Sequence, residues 1–492
     1  MVIFMKNKSL WKDTVKLKET KSLNQDIETD ILIIGGGITG ISSAYFLKDK
    51  QVTLIDRGLI GMGVSANTTG KLTFLQDQIY LDIIKAHSEP IAYQYFLAQK
   101  EAIKLVVDII KENNIECNLE ENQSIVFTDN EKEILKIKKL ESFFNKYNIE
   151  FGLITNLPIK FPCKYGIKVN DTYVFNPLKY LNKLKEILIK NKVSIYENTK
   201  ATTLSKENDY YIVETDKNKI KAKKVIVATH YPFFIKPGFI PFKTHISKSY
   251  IIASLTDNNP KFNAITNTDP IYSFRYYNDL NIYFLYSSIS HPNSRDLNYE
   301  ENYNKLIENY NQYFNYKINY IWSTHDVITN DYLPYIGMLK PNLYIATGYN
   351  KWGMTNGTIA GKILSDLVKD EKNKYEDLFK IKRKNSLKKC SNCLYSNYIT
   401  SSTLISNKLK SNKPFYHNNV YITTMNGKKV GVYIDEKNDK HIVSNICPHL
   451  KCNLIFNNFD KTWDCPCHGS RFDIDGNIIQ GPSVYNIKIN DN

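Results

Sequence analysis

The segment Asp30-Ile-Leu-Ile-Ile-Gly-Gly-Gly-Ile-Thr-Gly40 passes from an apolar run of strand length straight into a glycine turn. Ile41-Ser-Ser-Ala-Tyr-Phe-Leu47 then has helical apolar spacing, with small residues suited to packing on a sheet. Val52-Thr-Leu-Ile55 reads as a second strand and ends in Asp56-Arg57, the acid standing 21 residues after Gly35. Strand, Gly35-x-Gly37-x-x-Gly40, helix, strand and acid in this order form a dinucleotide-binding fingerprint. Gly35 allows the tight turn, Gly37 lets backbone approach a pyrophosphate, and Gly40 lets helix and strand pack closely. The helix start offers unpaired N–H groups and a positive dipole end to phosphates. Asp56 is placed to accept hydrogen bonds from a ribose diol.

FAD and NAD share that fingerprint, so later segments decide between them. Gly61-x-Gly63-Val-Ser-Ala-Asn-Thr-Thr-Gly-Lys71 follows the second strand, and Lys224-Val-Ile-Val-Ala-Thr-His230 runs from a strand into a turn. Asp331-Tyr-Leu-Pro-Tyr-Ile-Gly337 and Ala346-Thr-Gly-Tyr-Asn-Lys-Trp-Gly-Met-Thr-Asn-Gly357 complete an ordered set of motifs. Together, residues 28–370 resemble the D-amino-acid-oxidase-like family of FAD-dependent oxidoreductases. The resemblance implies an α/β, Rossmann-like FAD-binding part and an antiparallel-sheet substrate part that covers the reactive face of the flavin. It also implies that Gly35, Gly37, Gly40, Asp56 and Arg57 hold the ADP half of FAD. Thr68, Thr69 and Lys71 are expected near the pyrophosphate and flavin. Gly348, Gly353, Met354 and Thr355 are expected at the isoalloxazine and ribityl chain. The family moves a hydride from a C–H next to an amine nitrogen to the flavin, so no strong base is required. Arg275, in Tyr272-Ser-Phe-Arg-Tyr-Tyr277, is the candidate to fork onto a substrate carboxylate, with an ion pair as the competing reading. His230, His245 and His291 have no metal-like spacing and read as ordinary core or surface histidines.

Six of the eight cysteines lie at 390, 393, 447, 452, 465 and 467. Cys447-Pro-His449-Leu-Lys-Cys452 and Cys465-Pro-Cys467-His468-Gly-Ser470 each supply Cys and His to one site. Zinc knuckles instead pair cysteines in one loop and histidines in another. One Cys and one His per loop fits a Rieske [2Fe–2S] cluster, with two thiolates on one iron and two imidazoles on the other. Residues 416–492 therefore resemble a small all-β Rieske domain. The resemblance implies Cys447 and Cys465 on one iron, His449 and His468 on the other, and a disulfide Cys452–Cys467 clamping the loops. Gly481-Pro482 resembles the loop covering the cluster. High-potential members carry tyrosine two residues after the serine. Here that residue is Phe472, which cannot donate to a cluster sulfur, so a lower potential is expected. A reducing cytosol disfavours the clamp, and the two thiols could instead remain reduced.

Three divisions follow: 1–375 for the FAD-dependent oxidoreductase part, 376–415 for a linker rich in lysine, serine and asparagine, and 416–492 for the Rieske part. Cys390-x-x-Cys393 falls in the linker and reads as two incidental cysteines. Ala98–Asn113 carries a helical apolar stripe at 103, 106, 107 and 110. The formal charge is +15, but only five of 65 cations are arginine, and no basic-aromatic stripe appears. This is a solvated lysine surface, and nucleic acid is not an expected partner. No stretch approaches the roughly 18 apolar residues of a membrane span, and the N-terminal residues lack a signal-peptide core. The expected compartment is the cytoplasm. The expected activity is oxidation of a small amine or amino-acid-like substrate, with electrons passing singly through the cluster to an unknown external acceptor. The alternatives are a reductase fed by NAD(P)H for a partner protein, for which no second glycine fingerprint is present, and a redox sensor without turnover.

Overall fold

The computed structural model describes residues 5–234, 238, 240, 243–293, 298–383, 416–417 and 419–489. Two large sheets and a small β module make up the architecture.

The nucleotide sheet has eight strands. Its spine runs Tyr335–Lys340, Leu343–Thr347, Lys219–Val227, Ile27–Ile34, Val52–Ile55, Ser194–Tyr196. The four neighbouring pairs from Leu343–Thr347 to Ser194–Tyr196 are parallel. Their apolar runs are buried on both faces, as parallel strands covered by helices require. The helix Ile38–Phe46 begins on the glycine turn and lies along Gly353–Val368. A Cβ on Gly361 would stand 2.5 Å from Cβ of Ser42, so glycine sets the closeness of that crossing. The long helix Glu89–Glu112 buries Ile103, Val106, Val107 and Ile110, the expected stripe.

The substrate sheet has ten strands, centred on Thr244–Thr256, Ile282–Pro292 and Ile318–Thr329. Most of its pairings are antiparallel, but Phe262–Thr266 with Glu120–Thr128, and Lys6–Asn7 with Ile318–Thr329, are parallel. The expected antiparallel sheet is thus mixed. The N-terminal segment adds an edge strand, and Thr20 N then donates to the buried Glu197 carboxylate beside the nucleotide sheet.

The expected linker start at 376 falls inside the folded body. Glu376–Phe379 is a short helix with Leu378 and Phe379 buried, and Ile381 packs on the nucleotide core. Arg383 grips Asp331 with two bonds of 2.6 and 2.7 Å. Three apolar residues in a polar stretch anchor it, which average composition hides. Cys390, Cys393 and the rest of 384–415 lie outside the described residues.

The C-terminal module contains two four-stranded sheets. Strands Val420–Met425 and Lys428–Ile434 join through Asn426-Gly427, both left-handed, the geometry that asparagine-glycine hairpins favour. Trp463, Phe472 and Val443 fill the module's core. Among the described residues, no helix is long and apolar enough to cross a membrane.

Candidate functional site: two cofactor sites across one interface

The glycine turn has no room for side chains. A Cβ on Gly40 would fall 1.8 Å from the Gly35 carbonyl oxygen, so only glycine lets the helix start so close to its strand. Gly37 caps that helix, and Ile38 N donates to Ser65 Oγ at 3.1 Å. Asp56 accepts from Gly36 N at 2.7 Å and Gly58 N at 2.8 Å, which aims its carboxylate at the turn. Burial raises its pKa, and those two N–H bonds oppose the rise. A carboxylate offers about four lone-pair directions, so acceptor capacity is left for a diol.

A cavity of about 690 Å³ extends from this corner to the substrate sheet. Gly35, Gly37, Asp56, Arg57, Thr68 and Thr69 line one part of it, and Gly353 and Met354 another. Its volume and its lining, which brings the glycine turn, Asp56 and the start of helix Gly353–Val368 to one cavity, fit FAD. Gly40, Gly348 and Thr355 are not on its lining. Gly40 sets the helix, Gly348 turns the chain with φ 80°, and Thr355 Oγ1 accepts from Gln76.

Lys71 lines the cavity but turns toward the substrate sheet, donating to Ser273 Oγ at 2.8 Å and Ala264 O at 3.1 Å. Lys71 was expected near the pyrophosphate and flavin; it stands on the wall of the cavity with its ammonium turned to the sheet. Burial, reinforced by Arg275, lowers its pKa to about 7. Arg275 is corrected too. Its guanidinium is 1% exposed and off the cavity lining, donating to the carbonyls of Thr69, Gly70, Phe175 and Tyr276. It ties the flavin loop to the strand Ser273–Asn278 and is not available to a substrate carboxylate.

Some residues were missed. His230, read as ordinary, has a left-handed backbone with φ 65°, lines the cavity, and leaves Nε2 without a hydrogen-bond partner. Its place in Ala228-Thr-His230, where a strand of the nucleotide sheet runs into a turn, was the available signal. Lys351 and Asp326 also line the cavity, on the substrate side, and Lys351 donates to Ser290.

In the C-terminal module, Cys447 and Cys465 are buried free thiols, and a hydrogen bond from Cys465 lowers the pKa of Cys447. The rings of His449 and His468 lie 5.1 Å apart. Nε2 of His449 and both ring nitrogens of His468 are buried without partners. Burial holds the two histidines near pKa 4 and 3, so both are neutral with lone pairs to give. Two buried thiols and two orphaned imidazoles are the donor set of a Rieske cluster, and the site fits one. Cys452 and Cys467 are joined, with Cα atoms 6.6 Å apart.

The two sites meet. Lys248, on the substrate sheet and fully buried, reaches Asp464 at 3.0 Å and Asp460 at 3.6 Å. Arg471 pairs with the same acids at 3.1 and 2.7 Å. Tyr303 donates to Asp460 at 2.6 Å and stacks on Phe459 with ring centres 3.8 Å apart. Asn293 Nδ2 donates to the carbonyl of Cys465 at 2.9 Å. This seating places His468, 4% exposed, with its ring centre 6.1 Å from that of Tyr231 on the cavity wall.

Known proteins agree with both halves. A family model for FAD dependent oxidoreductases matches residues 30–367, and one for the Rieske [2Fe-2S] domain matches 407–490. A Bacillus subtilis protein named as a Rieske 2Fe-2S iron-sulfur protein, YhfW, is 32% identical over 491 residues, covering 97% of this chain and 96% of its own. Gamma-glutamylputrescine oxidoreductase of Escherichia coli is 23% identical over 382 residues, covering 72% of this chain and 87% of its own. Glycine oxidase from Geobacillus kaustophilus superposes with a TM-score of 0.59 at 16% identity, covering 73% of this chain and 99% of that one. L-amino acid deaminase from Proteus vulgaris does so with 0.60 at 20% identity, covering 75% and 97%. The chain belongs to the FAD-dependent oxidoreductase family and carries a Rieske [2Fe–2S] domain in its C-terminal part.

Proposed function

We propose that the chain oxidises the C–H bond beside the nitrogen of a small amine or amino-acid-type substrate and delivers the electrons singly, through its own C-terminal module, to an external acceptor. One observation carries this reading: a buried ion network seats the loop Cys465–Ser470 against the wall of the FAD cavity, with His468 facing Tyr231. When bound, FAD accepts a hydride and a Rieske cluster carries one electron at a time.

The chain's residues supply binding and orientation. The turn Gly35–Gly40 and Asp56 hold the nucleotide half, and the start of helix Gly353–Val368 points N–H groups and a positive dipole end at the cavity. On the substrate side, Ser273, Ser287 and Ser290 provide hydroxyls, and Lys351 and Asp326 provide both signs of charge. Burial pushes Asp326 up to about 6 while Lys351 opposes it. Paired opposite charges suit a zwitterionic substrate. The relative named for gamma-glutamylputrescine supports the amine side of this reading. His449 is half-buried where His468 is buried, so the acceptor reaches the module at His449.

The test is anaerobic mixing of the holoprotein with amines, amino acids and NAD(P)H, followed by absorbance and electron paramagnetic resonance. Flavin bleaching by an amine or amino acid, followed by the reduced-cluster signal, is the expected result. Reduction by NAD(P)H alone would overturn it.

A further inference from the structure

The C-terminal module does more than stand near the flavoprotein. Its loop Ile479–Val484 lines the same cavity as the glycine turn, and so do Asp460 and Arg471. Arg57, directly after Asp56, donates from Nη2 to the carbonyl of Ile479 at 2.5 Å. A Cβ on Gly481 would lie 3.8 Å from Nη1 of Arg57, so the module's backbone packs on the nucleotide corner itself. Ser483 N donates to Ser470 Oγ at 3.0 Å, which ties this loop to the cluster-ligand loop. The ion network of Lys248, Asp460, Asp464 and Arg471 then ties both loops to the substrate sheet.

We propose that the Rieske module is a wall of the FAD-binding site, so that its docking retains FAD and FAD in turn strengthens its docking. Asp56 and Arg57 hold the ADP half, and residues 480–484 close the corner in which they stand. A nucleotide that binds a two-module corner binds the docked state better than the undocked one. Coupling of that kind is reciprocal: whatever factor docking adds to FAD affinity, FAD adds to docking. The fold alone would give FAD a complete site within residues 28–370; this chain has built part of that site from its C-terminal end.

The experiment uses the full-length, cluster-loaded protein. FAD dissociation is followed by recovery of free-flavin fluorescence on dilution, and cluster absorbance in the same samples reports a folded module. Gln480→Ala/Val484→Ala trims the wall and leaves the ion network in place. The expected result is a rise of tenfold or more in the FAD dissociation constant at unchanged cluster content. Lys248→Met, which weakens docking through a side chain that is itself off the cavity lining, is expected to loosen FAD as well. Small-angle scattering on the parent protein, stripped of FAD and then reloaded, is expected to show a smaller radius with FAD. An FAD dissociation constant within twofold of the parent in the trimmed-wall variant overturns the proposal, even if Lys248→Met loosens FAD, because that pattern means general slackening. Where the double variant does not accumulate, Val484→Ala alone decides in the same way.

Discussion

Lys248→Met measures what holds the two modules together. Lys248, Arg471, Asp460 and Asp464 form a neutral group of four buried ions, with Lys248 and Asp464 both 0% exposed. Methionine keeps most of the side-chain volume and removes one cation, leaving a net negative charge in a buried interface. Breaking a buried pair in this way costs about 3–5 kcal/mol. Arg471 stays in contact with both acids, so the lower end applies, about 3 kcal/mol or roughly a hundredfold in the docked-to-undocked ratio. The assay is urea titration of the holoprotein, followed by visible circular dichroism of the cluster and by tryptophan fluorescence. With a slope of about 2 kcal/mol per molar urea, the transition moves down by roughly 1.5 M. Lys248→Met/Asp460→Asn restores neutrality and recovers part of the loss. A shift below about 0.3 M, the size an exposed pair of ~0.5 kcal/mol gives, refutes the buried-network reasoning.

Other outcomes are open to direct measurement. Gly40→Ala drives a Cβ into the Gly35 carbonyl, so the purified protein is expected to lack FAD while keeping its cluster spectrum. Phe472→Tyr places a hydroxyl in the module core near Ser470; redox titration is expected to give a higher cluster potential than the parent, and an unchanged value contradicts the assignment. Arg275→Met removes the guanidinium that binds the carbonyls of Thr69, Gly70 and Phe175, and calorimetry is expected to show a stability loss of about 3 kcal/mol, with no selective rise in KM for carboxylate-bearing substrates. Burial raises the Asp460 carboxyl, but Arg471 and Lys248 outweigh it and hold it below the usual carboxylate range, with Asp464 and Tyr303 also facing it. Its contribution is therefore complete above about pH 4 and lost as pH falls through its lower folded value; scattering is expected to show the docked form at pH 5 and an expanded one only well below pH 4.

The parts of this protein written in local spacing were readable from the chain. Gly35, Gly37, Gly40 and Asp56 lie within one strand–turn–strand unit, where sequence distance sets spatial distance. The same holds for Cys447 with His449 and Cys465 with His468, each pair held in a short loop. Arg275 was misplaced because strand parity and register decide which way a side chain points, and neither is visible locally. Arg275 lands opposite Leu285 and Asn263 and faces the Thr69 loop, a relation set across 206 residues of chain. The interface was invisible for the same reason: Lys248 and Asp464 are 216 residues apart, and the lysines as a whole read as a solvated surface. His230 was hidden by its bland surroundings, and residues 376–383 by a polar composition that masks three buried anchors.

Anaerobic reduction of the FAD- and cluster-loaded protein by a panel of amines and amino acids, with NAD(P)H alongside, decides whether substrate electrons reach the cluster through the flavin. An amine or amino acid is expected to bleach the flavin, and the reduced Rieske resonance is expected to appear next in the same sample without any added carrier. Flavin bleaching that leaves the cluster oxidised, or reduction by NAD(P)H only, contradicts this route.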